Sequence, residues 1–162
     1  MGSGKWTGLA VDLGASSGRV LSGQFDGSRL TVEEIHRFAN EPVTVRDTLY
    51  WDILSLYQHI KHGIRKASAL AADSSNEIAS LGIDTWGVEF GLLDEHGELL
   101  GNPVHYRDKR TDRMMEYVWQ RVPRETVFSE TGIQFMPINT IYQLAALQQK
   151  GGLNRASTLL MI

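Results

Sequence analysis

The chain has 162 residues, 42% of them hydrophobic and 22% charged, which is enough for one packed core. A formal net charge of -3 leaves no basic stripe to meet a phosphate backbone, so small molecules are the expected partners and nucleic acid is not. No cysteine is present, which excludes disulfide frameworks and Cys-based zinc sites, and no apolar run reaches membrane-spanning length, so no membrane partner is expected.

Residues 1–8, opening MGSGKWTG, read as a flexible lead-in; no signal-peptide stretch follows Lys5, and the cytoplasm is the expected location. Leu9–Leu13 is a short apolar run, and Gly18–Phe25 and Leu30–Phe38 alternate as strands do. Asp26-Gly27-Ser28 supplies a hairpin turn between the last two, so three antiparallel strands in succession are predicted. Past Pro42, Asp52 is placed to cap a helix whose apolar residues Ile53, Leu56, Tyr57, Ile60, Ile64, Ala67 and Ala71 share one face. Ile78–Thr85 reads as a buried strand and Glu89–Leu93 as another, closed by the turn Asp94-Glu95-His96-Gly97. Met115, Val118, Trp119 and Val122 mark a second helix ended by Pro123; Asn139 suits the cap of a third, which Gly151-Gly152 stops. The fold class is α/β: a mixed sheet beginning with three antiparallel strands, with helices packed on it. Thr158–Ile162 opens an apolar segment with no turn after it, so the chain is expected to continue into a longer protein.

The most informative stretch is Asp12-Leu13-Gly14-Ala15-Ser16-Ser17-Gly18-Arg19. Gly14 and Gly18 let backbone approach a bulky anion, successive N–H groups can form an anion-binding nest, and Ser16 and Ser17 can donate to phosphate oxygens. Arg19 adds a fixed positive charge, and Asp12 can hold the hydration shell of a magnesium ion. The alternative is an ordinary hairpin whose glycines serve only the turn, although such a hairpin has no need of flanking opposite charges. The order strand–turn–strand also differs from a P-loop, which runs from strand to helix and ends in Lys-Ser/Thr.

With the strands and helix that follow, this turn resembles the first phosphate loop of the ribonuclease-H-like, actin-like ATPase fold. Further along, Leu81-Gly82-Ile83-Asp84-Thr85-Trp86-Gly87-Val88-Glu89-Phe90 resembles the sugar-binding segment of the FGGY carbohydrate kinases, and Tyr106-Arg107-Asp108-Lys109-Arg110-Thr111 resembles that family's aromatic-x-Asp-x-Arg-Thr element. Together with Glu34–Phe38, Gly132–Phe135, Asn139-Thr140 and Tyr142-Gln143-Leu144, the combination is similar to members that act on L-rhamnulose. The resemblance runs in collinear order from about Leu9 to Ile162, which would make these residues the N-terminal part of the first kinase domain.

The resemblance implies ATP-dependent phosphorylation of L-rhamnulose at its primary hydroxyl, with Mg2+ as metal. Ala15, Ser16, Ser17, Gly18 and Arg19 would bind the nucleotide phosphates, Asp12 would serve the metal through water, and Gly87 and Trp86 would meet the sugar. The general-base aspartate of the family would lie beyond residue 162, along with the second domain, so these residues alone are expected to be inactive. Simpler uses exist for several of them. Trp86 serves equally as a core aromatic, Asp84 as a turn former, and Asp108 with Arg110 as a local ion pair. Gln134 and Asn139 can donate to sugar hydroxyls, but a helix cap is the simpler use of Asn139. His36, His59, His62, His96 and His105 lack metal-ligand spacing and are expected at the surface. Two other readings remain: a kinase of the same family acting on xylulose or fuculose, and a non-enzymatic actin-like nucleotide-binding module. Glycerol is disfavoured, because glycerol kinases carry an Arg-Glu pair where this chain has Gly87-Val88.

Overall fold

A computed structural model of the chain describes residues 6–73 and 77–161. Of the expected lead-in, residues 1–5 lie outside the described residues, as does the terminal Ile162. The chain divides into two compact units, residues 1–41 with 52–86 and residues 42–51 with 87–162.

The first unit is a four-stranded sheet with one helix on it. Strands β1 (Trp6–Leu13), β2 (Ser17–Phe25) and β3 (Leu30–Ala39) form the expected antiparallel succession, and β6 (Ile78–Asp84) adds in parallel to the far side of β1, giving the order β3-β2-β1-β6. Strand β1 begins earlier than the apolar pattern suggests. Thr7 and Gly8, assigned to the lead-in, are buried and paired with Gln24 and Gly23, because β2 is long enough to give them partners. The hairpin between β2 and β3 is an Asx turn in which the Asp26 carboxylate accepts the N–H groups of Ser28 and Arg29, with Gly27 at φ 104°.

Helix α1 (Ile53–Asp73) starts where Asp52 accepts the Ser55 N–H at 3.1 Å. It packs on β2 and β3 through Leu56, Gly63 and Ala67, closing a core of Val11, Leu13, Val20, Phe38 and Leu56. Gly63 is required there, since a Cβ at that position would fall within 3.0 Å of Val20. Tyr57, expected on the buried face, is exposed beneath the Lys61 ammonium. The larger departure concerns β6, which the sequence suggests is buried. Leu81 and Ile83 share a sheet face with Leu9 and Val11 yet are 49% and 57% exposed, because α1 packs chiefly on β2 and β3.

In the second unit, β4 (Val43–Val45) and β5 (Thr48–Tyr50) form a hairpin in a stretch whose Pro42 suggested irregular chain. Strand β7 (Phe90–Leu93) pairs antiparallel with β8 (Thr158–Met161). A single 3-10 turn at Lys109–Thr111 precedes α2 (Met114–Trp119), α3 (Arg124–Thr131) and α4 (Thr140–Gln149). Helix α3 escapes detection because its eight residues carry no amphipathic pattern, with only Val127 buried. Helix α4 ends as expected, with Gly151 at φ 68° and the Gly152 N–H returning to the Leu147 carbonyl.

Candidate functional site

The turn after β1 is closed by a hydrogen bond from the Gly14 N–H to the Ser17 carbonyl at 2.9 Å. It is braced from the end of β3 by Asn40, which is buried, donates its side-chain amide to the Gly14 carbonyl at 2.9 Å and gives its own N–H to the Ser16 carbonyl at 3.1 Å. Among the described residues, neither the Ser16 nor the Ser17 hydroxyl has a protein partner, so both remain donors for an incoming anion. The residues present therefore fit a phosphate group. Sequence reasoning passed over Asn40, whose partners are 24 and 26 positions away with no local signature.

Gly18 has a further use besides anion approach. A Cβ on it would lie closer than 3.0 Å to the ring of Phe38, its cross-strand partner, and 3.1 Å from Leu13. The missing side chain makes room in the core, as glycine opposite an aromatic does in sheets.

Asp12 and Arg19 face each other on the β1–β2 ladder and form an ion pair between carboxylate and guanidinium. The register extends this pair into a charged row across the sheet: Asp84 beside Asp12 on β6, and Arg37 beside Arg19 on β3. Neighbouring like charges would repel, and Glu34 relieves the Arg37 end with bonds of 3.0 and 2.6 Å to its guanidinium. That contact holds the Glu34 carboxyl below its usual value and Arg37 above its own. The row sets Asp12 and Asp84, which could order the water of a hydrated cation, on the parallel side, and Arg19 and Arg37, each already paired with a carboxylate, on the antiparallel side.

Because β1 and β6 run parallel with Asp12 opposite Asp84, the turn Gly14–Ser17 and the segment Thr85-Trp86 leave the same end of the sheet from adjacent strands. Motifs some 70 positions apart are brought side by side at the carboxyl ends of parallel strands, the usual place for ligands in such sheets. The half-buried Trp86 ring packs against the core of Val11, Leu13, Val20, Phe38 and Leu56, so its core use is real.

Gly87 opens the second unit at φ 69°, followed by Val88 at φ 62°. Val88 also lines a cleft of about 300 Å3 together with Asn139, Thr140, Ile141, Met136 and Phe135. Asn139 occupies the capping position of α4, but its side chain donates to the Gln134 carbonyl at 2.9 Å and makes no cap hydrogen bond. Gln134 itself is exposed. The expected Asp108–Arg110 ion pair takes another form: the Asp108 carboxylate accepts the N–H groups of Leu49 and Arg110, both at 2.8 Å, while the Arg110 guanidinium reaches Gln143 at 2.7 Å. Both residues are scaffold.

Glu89 is fully buried and accepts the Tyr106 N–H at 2.6 Å. Burial pushes its carboxyl up, against the pull of the Trp51 indole, the Tyr106 N–H and Arg110. The histidines are not uniformly at the surface. His105 is buried and stacks on Trp51 at 4.0 Å, and His36 contacts His59, Nε2 to Nδ1, at 3.2 Å. No group of three or more His, Asp or Glu side chains among the described residues is arranged to hold a metal ion.

The sheet order and the helix packed on it are those of the actin-like ATPase fold, as found in solved sugar kinases. Residues 7–161 match the FGGY family of carbohydrate kinases, N-terminal domain, and the chain belongs to that family. It is 46% identical over 156 residues to the rhamnulokinase of Oceanobacillus iheyensis, covering 95% of this chain and 32% of that one. Among solved structures it superposes on xylulose kinase from Rhodospirillum rubrum with TM-score 0.80 at 12% identity, covering 96% of this chain and 32% of that one. Plasmodium falciparum glycerol kinase with ADP gives TM-score 0.75 at 15% identity, covering 98% and 32%. The chain therefore spans about a third of the length of the curated relatives it matches.

Proposed function

We propose that these residues form the phosphate-binding wall and part of the sugar pocket of a kinase that transfers the γ-phosphoryl of ATP to the primary hydroxyl of L-rhamnulose. The observation that carries the reading is the juxtaposition of the Gly14–Ser17 turn with the Asp84–Trp86 strand end, in a chain 46% identical to a rhamnulokinase over most of its length. In this reading Ala15, Ser16, Ser17 and Gly18 receive the nucleotide phosphates through backbone N–H groups and hydroxyls. Arg19 neutralises phosphate charge, and Asp12 orders water on the Mg2+ that travels with ATP. When bound, that ion screens the charge of the transferring group. Trp86 offers an aromatic edge and Gly87 an uncovered backbone to the ketose.

The base that takes the hydroxyl proton is assigned to an aspartate beyond residue 162, so the 162 residues by themselves should not turn over. The cytoplasm is the proposed location; no helix among the described residues is long and apolar enough to cross a membrane. The test is ADP production from Mg-ATP with L-rhamnulose, L-fuculose, D-xylulose and glycerol, using the full reading frame, with the 162-residue chain as control. Preference for L-rhamnulose by the long form supports the reading. Preference for another ketose would keep the phosphate wall and overturn the sugar assignment.

A further inference from the structure

Among the described residues, Arg46, Val88 and Arg113 have positive φ without being glycine, and only Val88 is β-branched. A valine at φ 62° is a strained conformation that persists only where its surroundings enforce it. It follows Gly87 at φ 69°, so two successive residues of the sugar-side segment are left-handed. The enforcing groups lie on α4. The Val88 carbonyl accepts a hydrogen bond from Gln143 Nε2 at 2.9 Å and a longer one from Thr140 Oγ1 at 3.4 Å.

Gln143 is completely buried and has little freedom to do otherwise. Its Nε2 also donates to the Ile138 carbonyl at 2.8 Å, and its Oε1 accepts from the Arg110 guanidinium at 2.7 Å. A guanidinium has no acceptor, so it selects the amide oxygen and leaves the nitrogen to face Val88. Arg110 is steadied in turn by the Val104 carbonyl at 3.2 Å and by its own N–H to Asp108. On the other side of Val88, Glu89 is tied to the Tyr106 N–H.

We propose that Gln143 is a positioning residue for the sugar: by gripping the Val88 carbonyl it holds the Gly87–Val88 backbone in the left-handed turn that faces the ketose. Released, Val88 would relax toward an extended or right-handed conformation and rotate the peptide plane on which the sugar contact depends. This inference rests on the sugar-kinase reading above. It goes further in naming a residue that touches neither reactant and sets how well the sugar, and not ATP, is received.

The test uses the full-length enzyme. Gln143→Glu keeps the size and the oxygen facing Arg110 but removes the donor to Val88, and Val88→Gly keeps the carbonyl and removes the strain. For Gln143→Glu the expected result is a sugar KM raised about tenfold, the scale on which misplaced contacts are felt, with the KM for Mg-ATP unchanged. Val88→Gly alone should melt at a higher temperature than wild type, because glycine adopts this φ without strain. Placed in the Gln143→Glu background it should restore part of the sugar KM, a coupling that a merely structural glutamine would not show. A wild-type sugar KM in Gln143→Glu, or equal rises in the KM of sugar and nucleotide, overturns the proposal. Should Gln143→Glu fail to fold, a Val88→Gly enzyme that melts lower than wild type overturns it equally. Absence of turnover by the wild-type enzyme on every ketose is a separate outcome that overturns the kinase reading and this clamp with it.

Discussion

Replacing Gly18 by alanine tests whether this glycine is fixed by the core. The added Cβ would lie closer than 3.0 Å to the Phe38 ring edge, whereas carbon atoms rest at about 3.5–4.0 Å, so the ring or the strand must give. Phe38 has little room to retreat: it is 5% exposed and lies flat against His59 at a centroid distance of 4.7 Å. Overpacking of this kind costs about 1–3 kcal/mol, and removing a glycine from a strand returns about 0.5–1 kcal/mol. The net expectation is a loss of about 1 kcal/mol, a shift of roughly 2–4 °C in a domain of this size. Circular-dichroism melts and urea titrations of Gly18→Ala against wild type measure it, and Phe38→Leu in the Gly18→Ala background should recover part of the loss. A Gly18→Ala protein as stable as wild type would refute the packing account and return Gly18 to a role in the turn alone.

Three further outcomes follow from the same geometry. Burial first, and then the charges of His62, His59 and Lys66, hold His36 below the usual imidazole value. Lys66, His59 and His62 face it from α1, Val20 of β2 is its uncharged cross-strand partner, and Glu33 shares the Ser22 side of β3. The folded state thus binds its proton less readily than the unfolded chain, so this contribution to stability is present above about pH 6.5 and is lost as pH falls through the depressed value. His36→Phe should flatten urea midpoints in that window. Glu89 has the opposite sense: its raised carboxyl gives stability that is present below the ordinary Glu range and lost as pH rises through the folded value. Glu89→Gln should remove that slope, whereas Glu89→Ala, which strands the Tyr106 N–H, should cost about 1–3 kcal/mol by chemical denaturation. Asp12→Asn, which breaks the pair with Arg19, should raise the magnesium concentration needed for half-maximal turnover by the long form more than it raises the sugar KM.

What the sequence reveals and what it hides divide along physical lines. The β1–β3 meander, the Asp52 cap and the Gly151-Gly152 stop are legible because each rests on a local signal: alternation, a capping carboxylate, a left-handed glycine. Strand β6 is legible as a strand but not in its exposure, since Leu81 and Ile83 look like core residues until the packing of α1 chiefly on β2 and β3 is known. Helix α3 and the β4–β5 hairpin are too short for periodicity to register. At the site, the turn from Gly14 to Arg19 announces itself through residue type. The bracing by Asn40 and the grip of Gln143 on Val88 do not, because their partners are 26 and 55 positions away. Asn139 shows the converse: a cap residue in the capping position whose side chain is drawn to Gln134 instead.

The most direct measurement of the central claim is the Mg-ATP-dependent release of ADP by the full-length enzyme with L-rhamnulose, beside the same enzyme carrying Ser16→Ala and Ser17→Ala. The account predicts turnover that prefers L-rhamnulose over xylulose and fuculose, with a KM for Mg-ATP that rises in the double variant while the sugar KM holds. Nucleotide affinity indifferent to both serines, or no sugar-dependent turnover at all, would contradict it.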